Sequence, residues 1–359
     1  MNRIRNAPGL KAAEWVLLDI EKAGYGPDTF HYSAIISKCA KQKQLGKALS
    51  LFKRMIDQGV APNAIVFCAA IDACAKVGQY KRAISLLNDM EDKYGVKPNV
   101  KCFNAAISAC EKAAKWEEAL KLLRKMPKKG VEPNVISYNS VISACGKTAK
   151  WEEALEFLVE MEEVGIPSDV VSYSAAISAC EKGGTQYTDT AMSLFSEMKM
   201  AGVNPNDVTY RAITQACFDS KRCSEALGLV REAAGLSFKK RPLRIKVSME
   251  SGLLMWNLHD LTEATACMLL VDAMLALVRA SNEGTSPRYQ DIIVITGKGL
   301  NTEDPNGPVL KEKVPAFLND VAGLETTAIE GNEGRFLIAA ASLEEWATSG
   351  GSEKFNGLF

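Results

Sequence analysis

Ten cysteines offer the first chemistry in this 359-residue sequence, because paired thiols could form disulfides and clustered thiolates could bind zinc. Six of them are separated by 35, 36, 35, 35 and 37 residues. No Cys-x-x-Cys pair occurs, and these spacings match no zinc site. Free cysteine otherwise behaves as a small hydrophobe, so this recurrent set is predicted to pack in a core, in a reducing compartment. The set is Cys39, Cys74, Cys110, Cys145, Cys180 and Cys217.

A lysine stands two residues after five of these cysteines. A row of ammonium groups at one repeat spacing can follow the phosphates of a single-stranded nucleic acid. A solvated helix face would produce the same row, so the pattern leaves both interpretations open. The five residues are Lys41, Lys76, Lys112, Lys147 and Lys182.

Each period contains two short helical patterns that must position these side chains. The first carries Ile-Ser-Ala-Cys in three consecutive copies, and the second carries Trp-Glu-Glu-Ala-Leu, beginning at Trp116 and again at Trp151. The second pattern closes on a glycine such as Gly59 or Gly130, and Pro with Asn or Asp then starts the next helix. A single hairpin cannot bury its apolar stripe, so the hairpins must stack. The predicted fold is an α-solenoid, a right-handed superhelix of helical hairpins with a concave face.

The period and its strings resemble the pentatricopeptide repeat. Five units fit well and a sixth is degenerate, while residues 1–28 hold a partial leading repeat. Tetratricopeptide repeats bind proteins and run at 34 residues with a different Trp/Gly/Tyr pattern, so a protein-binding scaffold is the alternative. The five units cover residues 29–63, 64–99, 100–134, 135–169 and 170–206, and the sixth covers 207–241.

The resemblance implies single-stranded RNA as the partner, with the base selected by residue five and the last residue of each repeat. Short polar side chains suit this task because they present donors and acceptors to a base edge. The implied bases are adenine, unassigned, pyrimidine, uracil and adenine. Pro167 stands one residue earlier than its counterparts, which leaves the register of Asp169 open. The pairs are Ser33 with Asn63, Cys68 with Asn99, Asn104 with Asn134, Asn139 with Asp169, and Ser174 with Asn206.

In the same family, residues two of neighbouring repeats enclose each base. This column is apolar except at Lys101. In the sixth repeat Arg211 and Arg241 occupy the base-reading positions, which leaves its base unassigned. The apolar members of the column are Phe30, Ile65, Ile136, Val171 and Val208.

The period stops near residue 242, and a small α/β two-layer domain is predicted over residues 242–348, followed by a tail over 349–359. Its expected helices cover residues 262–280 and 309–321, and its expected strands cover 291–295, 326–329 and 335–340. Trp256-Asn257-Leu258-His259 and Thr296-Gly297-Lys298-Gly299 resemble the Leu-Asp-x-His and Thr-Gly-x-Gly motifs of Smr domains. The glycine loop is not a nucleotide-phosphate loop, since no Gly-x-x-x-x-Gly-Lys-Ser/Thr occurs.

Smr domains are linked to nucleic-acid cleavage or binding, with the acid of the first motif as the natural candidate to orient water or a metal. Asn257 stands at that position, and an amide is neither a general base nor a good ligand for hard cations. His259 could act as acid or base, or could instead tie two backbone segments together. An RNA-binding adaptor is therefore preferred over a repeat-guided RNA endonuclease. No cofactor is expected, except a divalent metal if the domain cleaves RNA.

The formal net charge of zero hides an asymmetry: residues 243–359 carry 9 Lys and Arg against 16 Asp and Glu. A basic front half suits a phosphate-bearing partner, and the acidic end could contact proteins. No apolar run is long enough to predict a membrane span, and a monomer is expected. Residues 1–10 carry no signal or transit pattern, whereas the family resemblance implies a chloroplast or mitochondrion and a role in RNA processing, stability or translation.

Overall fold

The computed structural model describes residues 4, 6–235, 245–250, 253–258, 261–282, 289–296, 309–329 and 334–349. The chain divides into two compact units, Met1–Lys182 and Gly183–Phe359. In the described part there are sixteen α-helices and one five-stranded sheet. A helical repeat solenoid followed by a small region with a sheet is the predicted fold class, and this prediction is confirmed.

The first unit is a row of helical hairpins preceded by one helix. Within each repeat the first helix contacts the first helix of the next repeat, so these helices form a continuous layer. The helices are α1 (Leu10–Lys22), α2 (Thr29–Lys41), α3 (Leu45–Asp57), α4 (Ala64–Lys76), α5 (Tyr80–Asp92), α6 (Val100–Lys112), α7 (Trp116–Lys128), α8 (Val135–Lys147), α9 (Trp151–Glu163) and α10 (Val170–Gly183).

Helix ends lie where the sequence places its signals. The side chains of Asn63, Asn99 and Asn134 each accept a hydrogen bond from a backbone N–H in the first turn of the next helix. The second helices are followed by glycines in the left-handed region, with φ of 73° at Gly59 and 68° at Gly130. The predicted caps and helix-terminating glycines are therefore confirmed at these positions.

The recurrent cysteines lie in the layer of first helices and are buried, as predicted. Burial raises the pKa of their thiols, to about 11 at Cys74 and about 12 at Cys110. Small Ala and Cys side chains allow the first helices to approach closely. Longer side chains bridge the second helices: Lys129 Nζ lies 2.6 Å from Glu91 Oε2, and Arg124 pairs with Glu160. Such exposed pairs contribute at most about 1 kcal/mol each.

The second unit begins with three more helices and ends in an α/β region. Helices α12 and α13 pack on the long helix α14, where Arg231 Nε lies 2.7 Å from Asp272 Oδ1. The rings of Phe218 and Phe317 lie 5.4 Å apart. The elements are α11 (Thr188–Met200), α12 (Asp207–Asp219), α13 (Cys223–Ala234), β1 (Lys246–Glu250), β2 (Leu253–Asn257), α14 (Glu263–Asn282), β3 (Ile292–Ile295), α15 (Val309–Asp320), β4 (Thr327–Ala328), β5 (Arg335–Ile338) and α16 (Ala340–Thr348).

The sheet has the order β1-β2-β3-β5-β4. Strands β2 and β3 are parallel and joined by α14, whereas β1–β2, β3–β5 and β4–β5 are antiparallel pairs. The predicted helices and the three predicted strands are present with ends shifted by at most two residues. Strands β1 and β2 and helix α16 were not predicted from the sequence.

Helix α14 also corrects the statement that no apolar run could cross a bilayer. Among the described residues, Glu263–Ser281 is long and apolar enough by length and composition, with a mean hydropathy of 1.6. Most of this segment is buried within the structure. The sequence analysis overlooked the segment because Glu263, Asp272 and Arg279 interrupt it, and a core helix meets the same criterion.

Candidate functional site

The predicted base-reading pairs of the third and fourth repeats are in direct contact. Asn104 Nδ2 donates to Asn134 Oδ1 at 3.1 Å, and Asn139 Nδ2 donates to Asp169 Oδ1 at 2.9 Å. Each contact joins a residue in the second turn of a first helix to the cap residue of the following first helix. Residues thirty positions apart in the sequence thus form one polar group.

Asp169 occupies the same place as the other cap residues, which settles its register. Its Oδ1 accepts from the backbone N–H groups of Val171 at 2.9 Å and Ser172 at 3.0 Å. Asn134 Oδ1 accepts from Ser137 N in the same way. Although Pro167 comes one residue earlier than the prolines of the other repeats, Asp169 still lies at the cap position.

Two serines that the sequence analysis did not select complete these polar groups. Ser137 Oγ donates to Asn104 Oδ1 at 2.6 Å, and Ser172 Oγ donates to Asn139 Oδ1 at 2.5 Å. Each serine is residue three of the next repeat and is fully buried. Because the amide oxygen faces the serine and the amide nitrogen faces the cap residue, the orientation of each asparagine is fixed. The only sequence signal was their position in a capping box.

In the first repeat the two predicted residues are not joined to one another. Ser33 Oγ donates to the carbonyl of Phe30 at 2.9 Å, while Asn63 Oδ1 accepts from Ile65 N and Val66 N. Ser33 is only 8% exposed, so it presents one edge to solvent, whereas Asn63 is exposed. In this repeat the last residue is therefore the more accessible member of the pair.

In the second repeat Cys68 lies beside Asn99, with 3.5 Å between Sγ and Oδ1. Cys68 also forms a disulfide with Cys102, residue three of the next repeat. The recurrent set packs as free thiols, as predicted, whereas Cys68 and Cys102 lie outside that set and no pairing was predicted for them. Their pairing depends on the distance between two neighbouring first helices, which no sequence spacing encodes.

The fifth pair is divided between the two units, and each residue is described separately. Ser174 is buried in the first unit, where its Oγ donates to the carbonyl of Val170 at 2.6 Å. Asn206 caps α12 in the second unit, where its Oδ1 accepts from Thr209 N at 3.0 Å. The joint base-reading role of this pair stays a prediction.

The predicted base-enclosing residues form a column of exposed apolar side chains. Their exposed fractions run from 43% at Phe30 to 64% at Ile65, and Lys101 is also exposed. Each lies at the start of a first helix, three residues before the base-reading position. Because these apolar side chains are exposed to solvent, they do not contribute to the hydrophobic core of their repeats. The remaining exposed members are Ile136, Val171 and, in the second unit, Val208.

The five lysines are all exposed at the C-terminal ends of first helices. Partial burial lowers the pKa of Lys112, and the neighbouring charges of Lys76 and Lys147 lower it further. The ammonium group of Lys112 therefore lies close enough to those of Lys76 and Lys147 to be repelled by both. Lys147 Nζ lies 2.8 Å from Glu111 Oε1 and Lys76 Nζ lies 3.7 Å from Asp72 Oδ1, so two members are already paired with carboxylates.

The two motifs of the C-terminal region meet at one edge of the sheet. Asn257 ends β2 and is in register with Ile295, the last residue of the parallel strand β3. Thr296 follows directly, and its backbone N–H donates to the carbonyl of Gly334 at 2.9 Å. His259 and the loop residues Gly297, Lys298 and Gly299 lie outside the described residues. No group of three His, Cys, Asp or Glu side chains in the described part could hold a metal ion.

Comparison with known proteins identifies the repeats. A family model described as PPR repeat family matches residues 27–76, 98–147 and 133–182, and one described as Pentatricopeptide repeat domain matches residues 65–113. Residues 27–182 are therefore pentatricopeptide repeats. No curated protein matches the chain.

Solved structures share part of this architecture at low identity. The pentatricopeptide repeat protein PPR10 from maize is 20% identical with a TM-score of 0.48 over 80% of this chain and 44% of that one. PPR10 in complex with an 18-nt psaJ RNA element is 21% identical with a TM-score of 0.46, over 79% and 43%. The PPR domain of Arabidopsis thaliana protein-only RNase P 1 in complex with tRNA is 20% identical with a TM-score of 0.40, over 47% and 89%. The chain spans less than half the length of PPR10.

Proposed function

We propose that the repeats bind single-stranded RNA and select bases one repeat at a time. The observation that carries this proposal is the pair of fixed polar groups at Asn104–Asn134 and Asn139–Asp169, with exposed apolar residues at the start of the same helices. Splayed bases are recognised in this way, by hydrogen bonds to their edges and by contact with their faces. A helical scaffold for proteins has no need of orientated amides at this regular spacing.

The hydrogen bonds within each group define what is left for a base. In the fourth repeat, every hydrogen bond that a described residue donates to the Asp169 carboxylate goes to Oδ1, and none goes to Oδ2. A carboxylate oxygen accepts a hydrogen bond from the N3–H group of uracil. In the third repeat Asn134 uses Oδ1 internally, which leaves its Nδ2 to donate to N3 of cytosine. These contacts support uracil and cytosine as the preferred bases.

The lysine row suits the phosphates of the same strand. If each of the five contacts one phosphate, log K falls with log salt at a slope of about −3.5, at roughly −0.7 per contact on a single strand. The paired Lys147 must exchange Glu111 for a phosphate to contribute its share. The base-reading groups lie towards the N-terminal ends of the first helices, and the lysines lie at their C-terminal ends. The nucleotide therefore lies along the helix, with its base at one end and its phosphate at the other.

The proposal is tested by fluorescence anisotropy with the full chain and three probes of equal length: single-stranded RNA, single-stranded DNA and duplex RNA. We expect tight binding to single-stranded RNA alone. Changing Asn104 and Asn139 to Ala should weaken it, whereas changing the exposed Lys121 on the second helix α7 to Ala should not. Equal binding to the three probes, or no loss in the double variant, would contradict base reading.

We further infer that residues 242–348 form an Smr-type domain that binds RNA or protein without cleaving RNA. Support comes from the β2-α14-β3 unit, which brings Asn257 and Thr296 to one edge of the sheet. The amide at Asn257 cannot remove a proton from water, and this argues against hydrolysis. Incubation of labelled RNA with the full chain and Mg²⁺ should leave the RNA intact. Cleavage that disappears in His259→Ala would instead make the chain an endonuclease.

The family resemblance also supports action in a chloroplast or mitochondrion, on the processing, stability or translation of transcripts. A fluorescent fusion at the C-terminus of the natural gene product tests this location. Signal in either organelle agrees with the proposal, and signal confined to the cytosol or nucleus contradicts it.

A further inference from the structure

The second repeat carries a cysteine pair where the next repeat carries hydrogen-bonded polar side chains. Cys68 is residue five of its repeat, as Asn104 is, and Cys102 is residue three of the following repeat, as Ser137 is. The Cα atoms of the two cysteines lie 4.7 Å apart and their sulfurs are bonded. A covalent bond thus replaces the contact that orients the base-reading side chain elsewhere.

The surroundings of the pair also suit its reduced form. Cys68 Sγ lies 3.5 Å from Asn99 Oδ1, and Cys102 Sγ lies 3.7 Å from the carbonyl oxygen of Ala64. A disulfide sulfur has no proton to donate, whereas a thiol can donate a weak hydrogen bond to either oxygen. Each sulfur therefore has an oxygen acceptor nearby that a thiol at that position can use.

Accessibility distinguishes Cys68 from most of the other cysteines, including its buried partner Cys102. Cys68 is half-buried beside the exposed Asn99, at the base-reading end of its helix. Of the eight free cysteines, seven are buried and Cys223 is half-buried. Burial raises the pKa of all eight thiols, for example to about 12 at Cys145. Since the thiolate is the reactive form, an oxidant in solution meets Cys68 first.

We propose that Cys68 and Cys102 are a thiol–disulfide pair that controls base reading by the second repeat, an inference that rests on the proposed RNA-binding function. The oxidant is a small disulfide such as glutathione disulfide. The Cys68 thiolate attacks one of its sulfurs, forms a mixed disulfide and releases one glutathione thiolate. The Cys102 thiolate then attacks Cys68 Sγ and releases the second. Two protons and two electrons pass from the protein thiols to two glutathione molecules.

The two forms offer a base different hydrogen bonds. As a thiol, Cys68 is a small donor at the repeat position that Ser33 occupies in the first repeat, with Asn as the last residue in both, and so favours adenine. As a disulfide it has no donor, and its sulfur is held against Cys102. Oxidation should therefore remove the base preference at the second position and leave the third and fourth positions unchanged.

The experiment uses the full chain equilibrated in reducing and oxidising glutathione buffers. Peptide mapping without reduction gives the state of each cysteine, and binding is measured for four RNAs that differ only at the second position. We expect the Cys68–Cys102 disulfide alone in the oxidising buffer. In the reducing buffer adenine should be preferred by about fivefold or more, and in the oxidising buffer the four RNAs should bind equally.

Cys102→Ser is the matched control, because it keeps the Cys68 thiol and introduces the residue found at Ser137. It should retain the adenine preference in the reducing buffer, and in the oxidising buffer it should stop at the Cys68–glutathione mixed disulfide, which peptide mapping detects. Cys68 and Cys102 recovered as free thiols from the oxidising buffer would overturn this inference while leaving RNA binding in place. The same base ranking in both buffers would do so as well. Absence of RNA binding in both buffers would instead overturn the proposed function and the coupling with it.

Discussion

Asp169→Asn exchanges a single acceptor for a single donor at the fourth repeat. Asparagine keeps the Oδ1 atom that accepts from Val171 N, Ser172 N and Asn139 Nδ2. It is also as good a helix cap as aspartate, so the stability of the repeat should change little. Only the second oxygen becomes an amide nitrogen. Uracil N3 then faces a donor instead of an acceptor, whereas cytosine N3 gains a partner.

The expected change in discrimination between uracil and cytosine is on the order of 1–3 kcal/mol, the range for one well-placed base contact. This corresponds to a change of about 5- to 150-fold in relative affinity. The assay is competition between two RNAs that differ only at the fourth position, with the third position varied as an internal control. Thermal melting of both proteins checks that the fold is retained.

A shift confined to the fourth position supports the assignment. If Asp169→Asn has no effect while Asn139→Ser changes the preference, residue five alone reads the base. If neither substitution changes any preference, the repeats do not read RNA, and the helical protein scaffold becomes the better explanation of this surface.

Other predictions follow from the same contacts. Changing Lys112 and Lys147 to Ala should weaken all RNAs alike and reduce the salt slope by about 1.4, measured by anisotropy from low to high salt; an unchanged slope would place the lysine row on a solvated face. Ser172→Ala should release the Asn139 amide and blunt the uracil preference at the fourth position, with rescue by Ser172→Thr. Iodoacetamide at pH 8 should leave Cys110 and Cys145 unmodified in the folded chain, since burial raises their thiol pKa to about 12. Rapid alkylation of either cysteine, detected by mass spectrometry, would contradict their burial. Asn257→Asp restores the acid of the Smr-type motif and should allow metal-dependent RNA cleavage. If the variant still does not cleave RNA, the residues around Asn257 and Thr296 serve in binding and not in hydrolysis.

The solenoid could be predicted from the sequence because its determinants are local and repeat. Caps such as Asn134 and helix-ending glycines such as Gly130 act within a few residues. The pairs Asn104–Asn134 and Asn139–Asp169 could be selected by resemblance, since the hairpin always returns the chain to the same place. Both pairs are in contact, although their base-reading role stays a prediction.

The contacts between repeats could not be predicted from spacing. Ser137 and Ser172 look like ordinary capping residues in the sequence, and their bonds to Asn104 and Asn139 depend on how closely two first helices pack. The same holds for Cys68 and Cys102. The hairpin of β1 and β2 was missed although Val247 and Met249 alternate with polar residues in β1. A run of five residues is a weak signal by itself, and both apolar side chains are exposed.

Selection of bound RNAs from a random single-stranded pool by the full chain tests the central claim most directly. Enrichment of a core in which a pyrimidine is followed by uracil, with adenine two positions before the pyrimidine and directly after the uracil, is the predicted result. The pyrimidine and uracil positions correspond to the two fixed groups of the third and fourth repeats. A pool that emerges without sequence enrichment, or enriched in duplexes, would contradict base reading by these repeats.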